Sequence, residues 1–231
     1  MERPSPREPR RFGADSISII AGTHGDVEAF MVHETLLKER GGFFEAALNK
    51  QWKEGRERKI ELPEDEPDTV AKYIEWLYTK TVSPHTQKNL KDWDMWDAHK
   101  QYEYLAKLYI FGEKVQDTEF CNRCIDKFIG TANQEFIDSD NEACFYYPGN
   151  LTIKMIFQKT HQGSPIQSAC VDIYWHNAAE NWFEAGWKGE GDVTHLLECP
   201  EFLLGLVRKS AGQRRAEMTK DVVLDPEVYY K

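Results

Sequence analysis

The chain has 231 residues, of which 41% are hydrophobic, and its formal net charge is −10. That hydrophobic content is enough for a buried core, while the negative charge disfavours binding to nucleic acid or to an anionic membrane surface. No apolar run approaches the roughly 20 residues of a membrane span, and the N-terminus lacks the apolar segment of a secretory signal. We therefore expect a globular protein of the cytoplasm or nucleus whose partners are other proteins.

The first folded element predicted is a β-hairpin. Residues 1–14 are rich in proline and arginine and offer little to bury, so we expect a disordered basic arm there. Apolar and polar residues alternate at 16–21 and again at 27–32, as they do in half-buried strands. The segment 23–26 contains a glycine and an aspartate, which favour a turn and so join the two strands into a hairpin.

Short helices and a third strand are predicted next. Helical spacing occurs at residues 36–37 and again at 43–48, which indicates two short helices. Alternation returns at 59–62 as a third strand, preceded by a charged loop that contains Trp52. A longer helix is expected to begin at Pro67, because proline is favoured in the first helical turn.

The rest of the chain is predicted to be mainly helical. Trp93 and Trp96 lie in a polar, loop-like stretch, and they would share one exposed face, as a partner anchor would, if that stretch were helical. The alternative, which we favour, is that both pack on the core of the preceding domain beneath a long loop. A helical hairpin follows with its turn at 112–117. The predicted organisation is a folded domain at 15–130 with a loop insertion at 83–101, a linker at 131–150, a helical region at 151–210 and a charged tail at 211–231.

The five cysteines predict buried thiols. Without a secretion signal, an odd number of cysteines fits reduced thiols better than a disulfide framework. Cys121 and Cys124 form a CxxC pair, but both fall on the apolar stripe of a predicted helix. We therefore favour core packing over zinc or redox chemistry. Further along, the aromatic residues of segment 182–187 belong either to the core of the helical region or to a substrate surface.

The order of elements and several motifs resemble the BTB/POZ family, in particular its fungal members, over residues 15–129. The resemblance implies an α+β BTB/POZ fold, a three-stranded sheet with a cluster of helices, followed here by a small all-helical C-terminal region. It also implies protein–protein interaction without catalysis. The motifs are FMVHETLL at 30–37, GFFEAAL at 42–48, IELPED at 60–65, IEWLYT at 74–79 and LYIFGEKV at 108–115.

Two features depart from the family pattern. Members usually carry a serine ahead of the paired aromatics, whereas this chain has two glycines at 41–42, so the entry into the second helix is expected to differ. The domain-swapped dimer of the family uses an additional N-terminal helix, and residues 1–13 are too short and too rich in proline to form it. A homo-oligomer, if formed, is therefore not expected to be that dimer.

The resemblance also implies a binding motif for a ubiquitin ligase. In BTB adaptors that recruit the cullin three scaffold, a hydrophobic residue, any residue and then a glutamate lie between the second helix and the third strand. Trp52, Lys53 and Glu54 match this spacing. Trp52 would anchor in an apolar slot of the partner and Glu54 would pair with a basic or amide group at its rim. The alternative, in which Trp52 folds over the hairpin and Glu54 is solvated, stays open.

Other candidate residues are structural or contribute to a binding surface. The family places a histidine at the start of the first short helix, and His33 is predicted to bond a strand carboxylate such as Asp15 in a buried position. No nucleophile with a spaced base and no phosphate-binding glycine loop is identified, so no catalytic residue, cofactor or metal is predicted. The residues predicted to bind partners are Trp52, Glu54, Phe43, Phe44, Trp93 and Trp96.

The predicted function is therefore an adaptor that links a substrate to a cullin three ubiquitin ligase, with the C-terminal helices recruiting the substrate. The alternative is a self-associating BTB scaffold or transcriptional regulator that does not bind cullin. An oligomeric state of two or more favours the alternative, whereas an adaptor of this short type could act as a monomer.

Overall fold

The computed structural model describes residues 16–23, 25–40, 42–49, 51–137, 142–178, 194–212 and 225–230. The chain divides into two compact units, residues 1–79 and residues 80–231. This division falls inside the predicted domain at 15–130, whereas the predicted linker at 131–150 lies within the second unit. The arm predicted at 1–14, Asp15 and the aromatic residues of segment 182–187 lie outside the described residues.

A three-stranded sheet forms the centre of the first unit. Its strands are β1 (Ser16–Ala21), β2 (Glu28–His33) and β3 (Lys59–Leu62), in the order β2-β1-β3. β1 pairs with β2 in antiparallel fashion and with β3 in parallel fashion. In the turn of the hairpin Gly25 has φ +96°, a left-handed conformation that glycine adopts without steric cost. The predicted hairpin and third strand are confirmed.

Four helices pack with this sheet: α1 (Glu34–Lys38), α2 (Gly42–Ala47), α3 (Lys53–Glu57) and α4 (Pro67–Thr79). The predicted charged loop around Trp52 is wrong in part, because residues 53–57 form α3. Every second residue of β1 is buried, as the alternation predicts. The largest fully buried side chains of the unit are Ile17, Ile19, Leu37, Phe44, Ile60, Tyr73 and Trp76.

The second unit begins with a helical hairpin, α5 (Met95–Val115) and α6 (Thr118–Ala132). The start of α5 at Met95 shortens the predicted loop insertion at 83–101. Asp94 and Asp97 form a reciprocal capping box: the Asp97 amide donates to Asp94 Oδ1 at 2.9 Å, and the Asp94 amide donates to Asp97 Oδ2 at 3.1 Å. The turn between the helices lies where the sequence predicts it, with Asp117 capping α6.

Shorter elements complete the second unit. The predicted linker contains a two-stranded hairpin of β4 (Phe136–Ile137) and β5 (Ala143–Cys144). Part of the predicted charged tail is packed, since Tyr229 is buried and its hydroxyl contacts Asp172. The remaining described elements are α7 (Asn150–Lys159), α8 (Pro165–Asn177), α9 (Thr194–Leu197), α10 (Pro200–Gly212) and two 3₁₀ turns, at Leu90–Asp92 and Pro226–Tyr229.

The described structure is a mixed α+β protein, as predicted at that level. The expected BTB/POZ topology itself remains an expectation. Among the described helices, none is both long enough and apolar enough to cross a membrane.

Candidate functional site

Trp52 is an exposed aromatic residue at the start of α3. Its side chain is 62% exposed, so it does not fold back over the hairpin in this structure. Its backbone is nevertheless fixed on both sides: the Trp52 amide donates to the Asn49 carbonyl at 2.9 Å, and the Trp52 carbonyl accepts from the Arg56 amide at 3.2 Å. An apolar side chain on a fixed backbone suits partner binding, because little backbone entropy is lost when it is covered.

Gly55 explains how α3 sits so close to the end of α2. A Cβ at this position would lie 2.3 Å from the Asn49 carbonyl oxygen and 2.9 Å from the Leu48 carbonyl oxygen. Both are backbone atoms that cannot rotate away, so only glycine fits. The glycine beside the tryptophan therefore allows the chain to turn tightly enough to present Trp52.

Arg58 fixes the far end of α3. It adopts a left-handed conformation with φ 55° and ends the helix. Its guanidinium donates to the Ser16 carbonyl at 3.1 Å and lies 3.1 Å from the Glu34 carboxylate. Hydrogen bonding from Lys38, and secondarily from Arg58, lowers the pKa of Glu34, so the carboxylate is charged at neutral pH. These contacts join α3 to β1 and α1.

Glu54 is the second residue of α3 and is exposed. It borders a shallow pocket of about 250 Å³ that is also lined by Phe43, Ala47 and Ile60. Phe43 is half-buried and contacts the Phe44 ring edge-on at a centroid distance of 5.2 Å. Glu54 and Phe43 thus line one pocket of the first unit, and Trp52 lies at the start of the helix that contributes Glu54 to it.

Two of the predicted partner-binding residues are buried, so neither Phe44 nor Trp93 is presented as an exposed anchor. Phe44 is fully buried and stacks on Tyr73, with ring centroids 5.8 Å apart. Trp93 is 7% exposed and stacks on Phe136, while its indole N–H donates to the Lys88 carbonyl at 3.3 Å. Most of the apolar surface of each side chain is covered within its own unit.

Trp96 behaves differently from Trp93. It lies in the first turn of α5 and is 56% exposed, whereas Trp93 precedes the helix. The two residues therefore do not form the shared helical face that the sequence suggested. Trp96 stays an exposed candidate for partner contact in the second unit.

His33 has a different partner from the one predicted. Its ring is exposed rather than buried, and its Nδ1 atom lies 2.7 Å from the Tyr78 hydroxyl. The same hydroxyl also accepts from the His33 amide at 3.3 Å. Asp15, the expected partner, lies outside the described residues. The histidine joins the end of β2 to α4, so its structural role is retained with another partner.

Cys121 and Cys124 are both buried in α6, as predicted. The Cys121 thiol lies 3.8 Å from the Tyr109 carbonyl oxygen, and burial raises the pKa of Cys124 well above its usual value. Within the described ranges, no group of three or more His, Cys, Asp or Glu residues is arranged to hold a metal ion. The pair is therefore placed as part of the core of the helical hairpin.

The exposure of the cysteines makes their reactivity predictable. Cys144 is partly exposed, whereas Cys121, Cys124, Cys170 and Cys199 are buried. In the native protein we expect a thiol-specific reagent to modify Cys144 readily and the other four only after denaturant is added, because a buried thiol ionises poorly. Time-resolved thiol titration with Cys144→Ser as control measures this. Rapid modification of two or more thiols in that variant would contradict it.

A buried polar cluster in the second unit was not found from the sequence. The Glu113 Oε1 atom accepts hydrogen bonds from Ser164 Oγ at 2.7 Å and from the Tyr109 hydroxyl at 3.1 Å. Its Oε2 atom lies 3.0 Å from His161 Nδ1. Ser164 is fully buried, and its hydroxyl bonds Glu113 and Tyr109 while the His161 ring bonds the other oxygen of Glu113, so the geometry is not that of a base-activated nucleophile. The cluster fastens the α7–α8 turn to α5.

Comparison with known proteins adds no assignment. No family model matches the chain, and no curated protein is significantly similar to it.

The role of Gly55 leads to a prediction with a matched control. Gly55→Ala is expected to lower the free energy of unfolding of the first unit by about 1 to 3 kcal/mol, because the new methyl group meets backbone oxygens. Gly130 in α6 has no atom within 4 Å of its would-be Cβ, so Gly130→Ala is expected to stabilise the protein by about 0.5 to 1 kcal/mol. Urea unfolding of both variants tests the contrast, and equal effects of the two would contradict it.

Proposed function

We propose that this protein is a non-catalytic protein-interaction module of the BTB/POZ type, and that it links a substrate to a cullin three ubiquitin ligase through Trp52. The observation that carries the proposal is the 62% exposure of Trp52 on a tightly held turn between α2 and β3. This is the position at which the adaptor motif lies in the family that the sequence resembles.

The exposed part of the Trp52 side chain is large enough to supply much of the binding energy of an interface. A tryptophan can bury roughly 200 Å², so covering the exposed part would contribute on the order of 3 kcal/mol at about 25 cal/mol per Å². Such a contribution is typical of an interface hot spot. Leaving the same surface in water brings the folded chain no benefit, since the ring makes little contact within its own unit.

Glu54 would supply the polar part of the same contact. Its carboxylate is exposed two residues after the anchor, at the border of the pocket that Phe43 lines. A basic or amide group at the rim of a partner's slot could pair with it. Under this proposal the adaptor acts in the cytoplasm or the nucleus, and the second unit recruits the substrate.

The proposal is tested by calorimetric titration of the protein with the N-terminal region of cullin three. We expect binding at micromolar affinity or tighter, and we expect Glu54→Lys to weaken it about tenfold by reversing a charge at the contact. Glu45→Lys is the matched control: it makes the same charge change on the exposed side of α2, away from the pocket, and should leave affinity unchanged. Equal loss in both variants would show that net charge, rather than the proposed contact, governs binding.

Self-association is the second candidate function, and the exposure of β2 favours it. Among the described strands β2 lies at one edge of the sheet, and its Met31 side chain is 64% exposed. An exposed strand edge can pair with a second copy. Light scattering measures the oligomeric state and so separates the two candidates. A scaffold is expected to be dimeric or larger and to dissociate in the Met31→Lys variant. A monomer that binds cullin would support the adaptor.

A further inference from the structure

The second unit contains an open pocket of about 650 Å³ that no predicted motif explains. Its floor is apolar and consists of Val82, Trp93 and Phe136, each of which is less than 10% exposed. Trp93 and Phe136 stack there with ring centroids 6.3 Å apart. A pocket of this volume with a rigid aromatic floor can accept one bulky apolar side chain.

The rim of the pocket is basic, although the chain as a whole carries a charge of −10. Four cations line it, and two of them already have carboxylate partners: Lys88 lies 2.8 Å from Asp97, and Arg123 lies 3.2 Å from Asp126. Asp94 and Asp92 add further negative charge beside Lys88. Asp126 also lines the pocket, so the lining has four cations and one carboxylate and is positive on balance. The other two cations that line the pocket are Lys80 and Lys127.

Gly130 leaves the mouth of the pocket open. It lies near the C-terminal end of α6, lines the pocket and is exposed, and no atom lies within 4 Å of its would-be Cβ. Packing therefore does not require glycine here, although glycine in a helix costs about 0.5 to 1 kcal/mol relative to alanine. A bare backbone at the mouth of a pocket permits close approach of a ligand chain.

We propose that this pocket binds an acidic peptide segment of a partner protein, with one bulky apolar side chain on the floor and a carboxylate against Lys127. The length of the α6 edge of the pocket is compatible with a peptide. From Arg123 to Gly130 the helix rises by roughly 10 Å, which is the length of about three residues of an extended chain. The site goes beyond the adaptor proposal, because it lies in the other unit and does not involve Trp52.

The test uses a random dodecapeptide library displayed on phage and selected against the whole protein. We expect the enriched peptides to combine several acidic residues with one large apolar residue. A fluorescein-labelled copy of the most enriched peptide then reports affinity by fluorescence anisotropy. Lys127→Glu should weaken its binding about tenfold, and higher salt should weaken the wild type as well.

Two variants of Gly130 make the test specific to the pocket. Gly130→Leu fills the mouth with a helix-compatible side chain and should abolish binding, whereas Gly130→Ala is too small to fill it and should retain binding. Circular dichroism confirms that each variant is folded. The proposal would be overturned if no peptide were enriched, or if the enriched peptides had no excess of acidic residues. It would also be overturned if Gly130→Leu bound the peptide as well as the wild type does. Unchanged binding by Trp52→Ala separates its outcome from that of the cullin proposal.

Discussion

Glu113→Ala is expected to lower the free energy of unfolding of the second unit by about 3 kcal/mol. The substitution removes the acceptor that the covered hydroxyls of Ser164 and Tyr109 share and leaves them the 3.1 Å hydrogen bond between them. It also removes the contact between His161 and α5. Urea unfolding followed by helical circular dichroism measures the loss.

Two control variants show whether the buried hydrogen bonds cause this effect. Glu113→Gln keeps one acceptor oxygen and should lose clearly less than the alanine variant. Glu103→Ala makes the same change on an exposed part of α5, where the carboxylate pairs only with Lys107 at the surface, and should cost about 0.5 kcal/mol or less. A loss of similar size in Glu103→Ala would contradict the account.

Alkaline unfolding is the second large effect expected. Burial raises the pKa of the phenols of Tyr102, Tyr109 and Tyr174 and of the thiols of Cys124 and Cys170, all in the second unit. In an unfolded chain a thiol typically ionises at about pH 8.5 and a phenol at about pH 10. The folded state thus holds protons that the unfolded state releases.

The sign of this linkage is a loss of stability at high pH. Stability from these groups is fully present below the unfolded pKa values and decreases as pH rises above them, by about 1.4 kcal/mol per group and pH unit. With five such groups, the total by about pH 11 is comparable with the whole stability of a typical domain. We expect helical ellipticity and tyrosinate absorbance to change together between about pH 9 and pH 11. Ionisation of all tyrosines with the helical signal intact would contradict this.

The sequence was a good guide to elements whose residues interact locally. The alternation of β1 and the Asp117 cap of α6 are short-range signals, and both elements formed where they were predicted. The start of α5 was missed although its capping box is local, because the box uses two aspartates rather than the usual serine and glutamate.

The contacts that the sequence did not predict join residues far apart in the chain. The partner of His33 is Tyr78, 45 residues away, and the partner of Glu113 is Ser164, 51 residues away. No periodicity records such a pairing. Composition likewise could not separate Trp93 from Trp96, which are three residues apart and similarly polar in their surroundings. The difference lies in tertiary contacts, because Phe136 and His85 pack against Trp93.

The candidate site depends on both kinds of information. The spacing of Trp52 and Glu54 was visible in the sequence, but their presentation depends on Gly55, whose requirement arises from the carbonyl oxygens of Leu48 and Asn49. The short helix that follows Trp52 was not predicted, since a five-residue segment rich in charges carries no clear apolar stripe.

The most direct test of the central claim compares two exposed tryptophans in the cullin titration. Trp52 and Trp96 are 62% and 56% exposed, so Trp52→Ala and Trp96→Ala remove similar surface from different units. The account predicts that Trp52→Ala weakens binding at least about 30-fold, the effect of a 2 kcal/mol hot spot, with an unchanged melting temperature, while Trp96→Ala binds like the wild type. No binding by the wild type, or a loss confined to Trp96→Ala, would contradict it.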